Sequence, residues 1–227
     1  MITSYKCNYS VINPLEKNNI TSVDENFIKK IFITTENIDI NKIMFTNESI
    51  YSSSRSKGSK RLIDVIKKYY DTDNVVITDG TANIGTDAIN LSTVYKNINA
   101  VEISKINFKA LSNNINLFKL EDRVKYYNAD INKKIKDLTQ DIIYIDAPWG
   151  GPEYKNNNNI DLFLGEVNII DFYLENKMLA DTFIFKVPYN YNFTLLYKKV
   201  KERIYKHSYK KGNVIKYYLL VIKKVNI

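Results

Sequence analysis

Asp141-Ile142-Ile143-Tyr144-Ile145-Asp146-Ala147-Pro148-Trp149-Gly150-Gly151-Pro152-Glu153-Tyr154 is the stretch whose reading decides the fold. Residues 142–145 are apolar with a β-branched bias and read as a buried parallel strand. That strand runs out into an acid, a proline and the only tryptophan of the chain. In open α/β sheets ligands bind beyond the carboxyl ends of the strands, so Asp146 and Trp149 are expected where chemistry happens. A carboxylate there can accept hydrogen bonds from an exocyclic amine while an indole stacks on a base. Pro148 fixes φ, and Gly150-Gly151 lets backbone approach a planar ligand closely. The competing reading is an ordinary strand followed by a Pro-Gly turn.

Working outward, strands and helices alternate. Upstream, 74–79 reads as a buried strand, 80–85 as a small-residue turn and 86–95 as a helix. A second strand at 99–102 ends in an acid, and 107–118 is an amphipathic helix with Phe108, Leu111, Ile115 and Phe118 aligned. A third strand spans 124–127, and 131–138 is short and helical. Downstream, 156–159 is a low-complexity asparagine loop, 161–176 a helix, 182–187 a strand and 193–204 a helix. Segments 205–209 and 214–223 close as a hairpin around Lys211-Gly212-Asn213. Before the first strand, 60–70 is helical, 46–59 is a Ser-rich loop, and 23–31 is a helix with Asp24 as N-cap. Residues 5–12 read as a strand or extended arm. The expectation is α/β: a Rossmann-like, doubly wound, mostly parallel sheet with a terminal antiparallel strand over 51–227, preceded by a small extension over 1–50.

Composition narrows the chemistry. At 227 residues and 44% hydrophobic, the chain suits one domain with a real core. It has no apolar run of about 18 residues and no signal-like start, so an intracellular protein without membrane association is expected. One cysteine, Cys7, and one histidine, His207, argue against a disulfide, a Cys- or His-based metal site and a catalytic triad. The formal charge of +8 favours a polyanionic partner, nucleic acid first. The basic residues Arg55, Lys57, Lys60 and Arg61 crowd one short segment and are candidates for phosphate contacts.

An acid, a small-residue turn and a helix, followed by an acid at the end of the next strand, make a nucleotide-binding arrangement. The turn Asp79-Gly80-Thr81-Ala82-Asn83-Ile84-Gly85 lacks the spacing of a dinucleotide fingerprint. Asp79 would repel a pyrophosphate and welcome an ammonium, which favours S-adenosyl-L-methionine. Glu102 is placed to accept two ribose hydroxyls, and Asp130 the adenine amino group.

Here the chain resembles class I S-adenosylmethionine-dependent methyltransferases, and among them the trimethylguanosine synthase family of RNA cap guanine-N2 methyltransferases. The resemblance rests on Pro148-Trp149-Gly150-Gly151-Pro152-Glu153-Tyr154. Residues 79–87, 185–190 and 213–219 support it more weakly, and it covers about 45–227. Asn83 and Thr86 stand where the family turn carries glycine. Asp146-Ala147 stands where animal members have Ser-Pro, and Tyr189 replaces an arginine. The resemblance implies methyl transfer to N2 of a 7-methylguanosine cap on RNA; a monomer is expected separately. Asp146, Pro148 and Trp149 would be catalytic. Asp79, Gly80, Thr81, Gly85 and Asp87 would bind the cofactor together with Glu102, Ile103, Asp130 and Asp146. Trp149 would stack on the base and Asn190 would also bind substrate, with Arg55, Lys57, Lys60 and Lys186 near the cap triphosphate. Three other readings stay open. A cap ribose 2′-O-methyltransferase would use Lys60, Asp146, Lys186 and Glu202. An N6-adenine methyltransferase would share the acid-Pro-aromatic turn. A catalytically silent RNA-binding subunit of a capping complex is the third.

Overall fold

The computed structural model describes residues 20–224 except residue 22. The expected arm at 5–12, and Cys7, lie outside the described residues. Seven strands form the central sheet: β1 (Val76–Asp79), β2 (Asn97–Glu102), β3 (Val124–Asn128), β4 (Ile142–Ile145), β5 (Thr182–Pro188), β6 (Arg203–Lys211) and β7 (Val214–Lys223). Their order is β3-β2-β1-β4-β5-β7-β6. Strands β1 to β5 are mutually parallel, β7 runs antiparallel to β5, and β6 runs antiparallel to β7. The expected doubly wound sheet with antiparallel closure is therefore present. Strand order reverses between β1 and β4, where the carboxyl ends leave a crevice.

The pleat sorts the apolar residues to two faces. Ile142 and Tyr144 of β4 pack with Ile77, Ile98 and Ile184 on one side; Ile143 and Ile145 pack with Phe183 and Phe185 on the other. The first face is covered by α3 (Ser56–Ile66), α4 (Thr86–Leu91) and α5 (Lys105–Leu117), the second by α7 (Ile169–Asn176) and α8 (Thr194–Lys199). Helix α1 (Glu25–Ile31) is capped as expected, the Asp24 side chain accepting from Phe27 N–H. Ile28, Ile31, Phe32 and Phe45 join the first core. Two buried asparagines fasten this leading segment. Asn90 accepts from Ile33 N–H at 2.8 Å and donates to the Ile31 carbonyl; Asn114 accepts from Met44 N–H at 2.8 Å and donates to the Met44 and Ile84 carbonyls.

Three expectations are corrected. Segment 46–59 holds helix α2 (Asn47–Ser52) and the start of α3, because Thr46 and Ser49 form a reciprocal capping box. Segment 161–176 is a tight hairpin, Phe163–Leu164 against Val167–Asn168, before α7 begins. Gly165 sits there at φ +62°, and Asn168 then caps α7, so two punctuating residues interrupt an apparent helical period. Segment 193–204 is helical only over α8, since β6 claims Arg203 and Ile204 for its ladder with β7.

Candidate active site

The carboxyl ends of β1, β2 and β4, helix α2, the start of α3 and the turn after β4 enclose a cavity of about 590 Å³. Of the expected site residues, Asp79, Thr81, Asp87, Glu102, Asp146, Pro148, Trp149, Arg55 and Lys186 line it. A narrow cleft of about 30 Å³ contains Gly80, Ile103 and Asp130, with Thr81 and Glu102 shared between the two. Asp79, Glu102 and Asp146 thus share the larger cavity, whereas Asp130 lies in the smaller cleft.

The glycines serve packing as well as loop shape. A Cβ on Gly80 would lie 2.5 Å from Ile145 Cδ1 and 2.8 Å from Ile131 Cγ1; one on Gly85, at φ +89°, would lie 2.6 Å from Leu111 Cδ1. Both clashes are with the core, and Gly85 lines neither cavity. Asn83 takes the left-handed position of the turn at φ +51°, which a short amide side chain tolerates. Its side chain closes on Ile84 N–H and on Ser52.

Glu102 is held by the turn itself. One carboxylate oxygen accepts Asn83 N–H at 2.8 Å and the other Ser104 N–H at 2.7 Å. Burial still pushes its pKa up to about 7. Asp79 is buried, and its carboxyl is raised well above the usual range by that burial and by neighbouring Asp87. Asp130 caps α6 (Ile131–Lys134), one oxygen accepting both the backbone and side-chain N–H of Asn132.

The turn after β4 holds the most organised chemistry. Asp146 Oδ2 meets Lys186 Nζ at 2.6 Å, and Lys186 also donates to Ser54 Oγ at 2.8 Å. Ser54 in turn donates to Asp87 at 2.6 Å, and Asp87 also receives Ser59 at 2.6 Å and Tyr144 at 3.2 Å. Asp146 N–H is fixed by Thr81 Oγ1 at 2.8 Å. Burial alone would lower the Lys186 pKa, but the charges of Asp146 and Asp87 hold it above the ordinary value. Burial raises Asp146 while the lysine charge pulls it back. This buried cluster has more carboxylates than cations. The ammonium of Lys186, expected near cap phosphates, is committed to Asp146 and Ser54.

Trp149 forms one aromatic wall, with Tyr154 edge-on at 5.1 Å and Tyr217 at 6.5 Å. Its buried indole N–H has no hydrogen-bond partner among the described residues, yet lies close enough to Asp146 to draw that carboxyl's pKa down. Lys57 and Lys60 are exposed on α3 and do not line the cavity. Asn190 lies behind it, its amide donating to the carbonyls of Tyr154 and Asn157 and so anchoring the loop after Trp149. Glu202 stands at the opposite end of the sheet, paired with Lys177 at 2.8 Å. Sequence reading missed Ser54, Tyr51, Lys155 and Tyr217 as lining residues. Ser54 was hidden in a serine run, and Tyr217 enters only because β7 lies beside β5. Lys155, directly after the Trp-Gly-Gly-Pro stretch, was the one detectable from position.

Known proteins resemble this chain in sequence and in fold. A family model described as RNA cap guanine-N2 methyltransferase matches residues 74–224. An uncharacterised protein, L320, of Acanthamoeba polyphaga mimivirus is 26% identical over 248 residues, covering 98% of this chain and 91% of that protein. Among solved structures, a Porphyromonas gingivalis W83 protein assigned as a methyltransferase superposes with a TM-score of 0.61 at 16% identity, over 82% of this chain. This chain spans 44% of that longer protein. M. capricolum TrmK, solved with S-adenosyl-homocysteine, superposes with a TM-score of 0.52 at 14% identity, over 72% of this chain and 67% of its own. These two structural likenesses concern the fold.

Proposed function

The chain belongs to the RNA cap guanine-N2 methyltransferase family, and on that premise we propose that it transfers a methyl group from S-adenosylmethionine to exocyclic N2 of a 7-methylguanosine RNA cap. It is a methyltransferase by family and fold. The donor set suits the cofactor. A 590 Å³ cavity is of ligand size, Asp79 and Asp87 favour a cationic amine, and Glu102 retains lone pairs for a diol. Bound there, S-adenosylmethionine would supply an electrophilic methyl carried on a sulfonium.

One observation carries the substrate reading: a partly buried carboxylate, Asp146, held by Lys186 at 2.6 Å beside Trp149 in the same cavity as Asp79 and Glu102. A guanine edge presents N1–H and N2–H as adjacent donors, and an ionised carboxylate is acceptor-only. Each carboxylate oxygen has more than one lone-pair direction, so the lysine does not exhaust Asp146. Accepting from N2–H orients the N2 lone pair toward the methyl, and alignment supplies much of the acceleration. A 7-methylated base is cationic and gains about 1–2 kcal/mol over an indole face once desolvated. Arg55 and Lys155 are the remaining cations lining the cavity among the described residues, and suit the cap phosphates.

The Asp146–Lys186 pair also fits a ribose 2′-O-methyltransferase. That reading needs Lys60 and Glu202 in the same site; Lys60 lies outside the cavity, and Glu202 is at the far end of the sheet. Incubation with a 7-methylguanosine cap dinucleotide and labelled S-adenosylmethionine, followed by digestion and nucleoside identification, tests the proposal. Label on guanine N2 is expected. Label on ribose, on adenine, or on nothing would refute it.

A further inference from the structure

Positive charge is unevenly distributed. Residues 55–68 and 201–216 together hold twelve Lys and Arg against two carboxylates, a formal +10 that exceeds the +8 of the whole chain. The rest of the protein is therefore net acidic. The fold brings these two segments side by side: α3 packs along β6, and Arg61 donates to the Ser208 carbonyl. Among the described residues, β6 has no further strand on its outer side.

An aromatic row occupies the same border. Trp149 leads to Tyr217, and Tyr217 stacks on Tyr209 at 4.7 Å and 11°. Further along β6, His207 and Tyr205 pack on Tyr69, whose hydroxyl shares a 2.7 Å hydrogen bond with His207 Nε2. Tyr205, His207 and Tyr209 are half-buried. Arg203 lies 5.0 Å over Tyr205, and the cations that act on His207 are Lys68 and Arg61. Lys210 and Lys211 stand exposed at the hairpin, at the same end of the sheet as the cavity.

We infer that the α3–β6 border is a track for the single-stranded RNA that follows the cap. Phosphates would meet Lys68, Lys210, Lys211 and Arg61, and bases would lie against the aromatic row that begins at the cavity wall; Lys206 faces the other side of the sheet, over Phe193 and Tyr218. Cationic grooves interleaved with aromatic side chains are how single strands are held without sequence preference. The inference rests on the RNA reading above but concerns residues outside the cavity.

The test uses the full chain and a Lys68→Ala/Lys210→Ala/Lys211→Ala variant, three exposed positions that do not line the cavity. Two probes are compared: a 7-methylguanosine cap dinucleotide, and a labelled ten-nucleotide single-stranded RNA carrying the same cap. Losing three phosphate contacts should lower the salt slope of oligonucleotide binding by about 2. The KM for the capped oligonucleotide should rise about tenfold or more, with that for the dinucleotide unchanged. An unaltered slope overturns the track, as does an equal KM rise on both probes. Equally tight, equally salt-dependent binding of a ten-base-pair duplex overturns its single-strand character. If the wild type binds the oligonucleotide with the steeper slope yet methylates neither probe, the track stands and the guanine-N2 reading falls.

Discussion

Lys186→Met separates a working ion pair from a merely buried one. The Lys186 and Asp146 side chains are 10% and 18% exposed and 2.6 Å apart. Water therefore screens them little. Removing one partner of a buried pair leaves an uncompensated charge and costs roughly 3–5 kcal/mol. Methionine approximates the stem volume, so packing loss adds little. Ser54 would keep its bond to Asp87 but lose the ammonium. Asp146 is already raised by burial and held back by the lysine, so its pKa should climb further in the variant. The sign follows. A carboxyl raised in the folded state is fully stabilising only below its unfolded pKa, and loses that contribution as pH rises through the folded value. The destabilisation should therefore be small in acid and grow toward neutral pH. On the proposed mechanism the acceptor must be ionised, so the acid limb of kcat/KM should move to higher pH. Urea unfolding from pH 4 to 8 and a pH–rate profile measure both. The double variant Asp146→Asn/Lys186→Met should recover much of the stability, giving a coupling of at least about 2 kcal/mol. A single variant within about 1 kcal/mol of wild type, additive with Asp146→Asn and with an unmoved profile, would refute the reasoning.

Glu102→Ala should weaken S-adenosylhomocysteine binding by about 1–3 kcal/mol, read by calorimetry, because it strips the Asn83 and Ser104 amides as well as the diol of an acceptor. With Glu102 raised to about 7, wild-type stability should also fall between about pH 4.5 and 7 by an increment that Glu102→Ala lacks, seen as a difference in urea midpoints. Gly85→Ala meets Leu111 Cδ1 at 2.6 Å in a left-handed backbone; a loss of roughly 2–3 kcal/mol is expected on thermal unfolding, and a neutral result would deny the packing role. Asn114→Ala should cost roughly 3 kcal/mol and expose residues 43–46 to hydrogen exchange, since Met44 would lose both its donor and its acceptor partner. Trp149→Ala should erase most discrimination between 7-methylated and plain cap analogues, with Trp149→Phe retaining part; an unchanged preference would end the stacking role.

The sheet was legible in the sequence because buried parallel strands declare themselves locally. Residues 142–145 are apolar and β-branched, and an acid follows each of β1, β2 and β4 within the strand or just beyond it. The fold rule that ligands gather at carboxyl ends groups Asp79, Glu102 and Asp146 from their strand positions alone. Short elements were less legible. Thr46–Ser49 capping, the Gly165 hairpin and the early start of β6 each hang on one or two residues that override a longer apparent period. The family likeness was readable from Trp149-Gly150-Gly151-Pro152. Tertiary structure alone decided the partners of Asp146. Lys186 reaches it across 40 positions, and Ser54 reaches Lys186 across 132. Nothing local marks such a pairing, because it depends on β5 lying beside β4 and on the α2–α3 junction folding over both. The same holds for Lys57 and Lys60, grouped with Arg55 by sequence. The helix that begins at Ser56 separates them, leaving Arg55 on the cavity and turning both lysines to solvent.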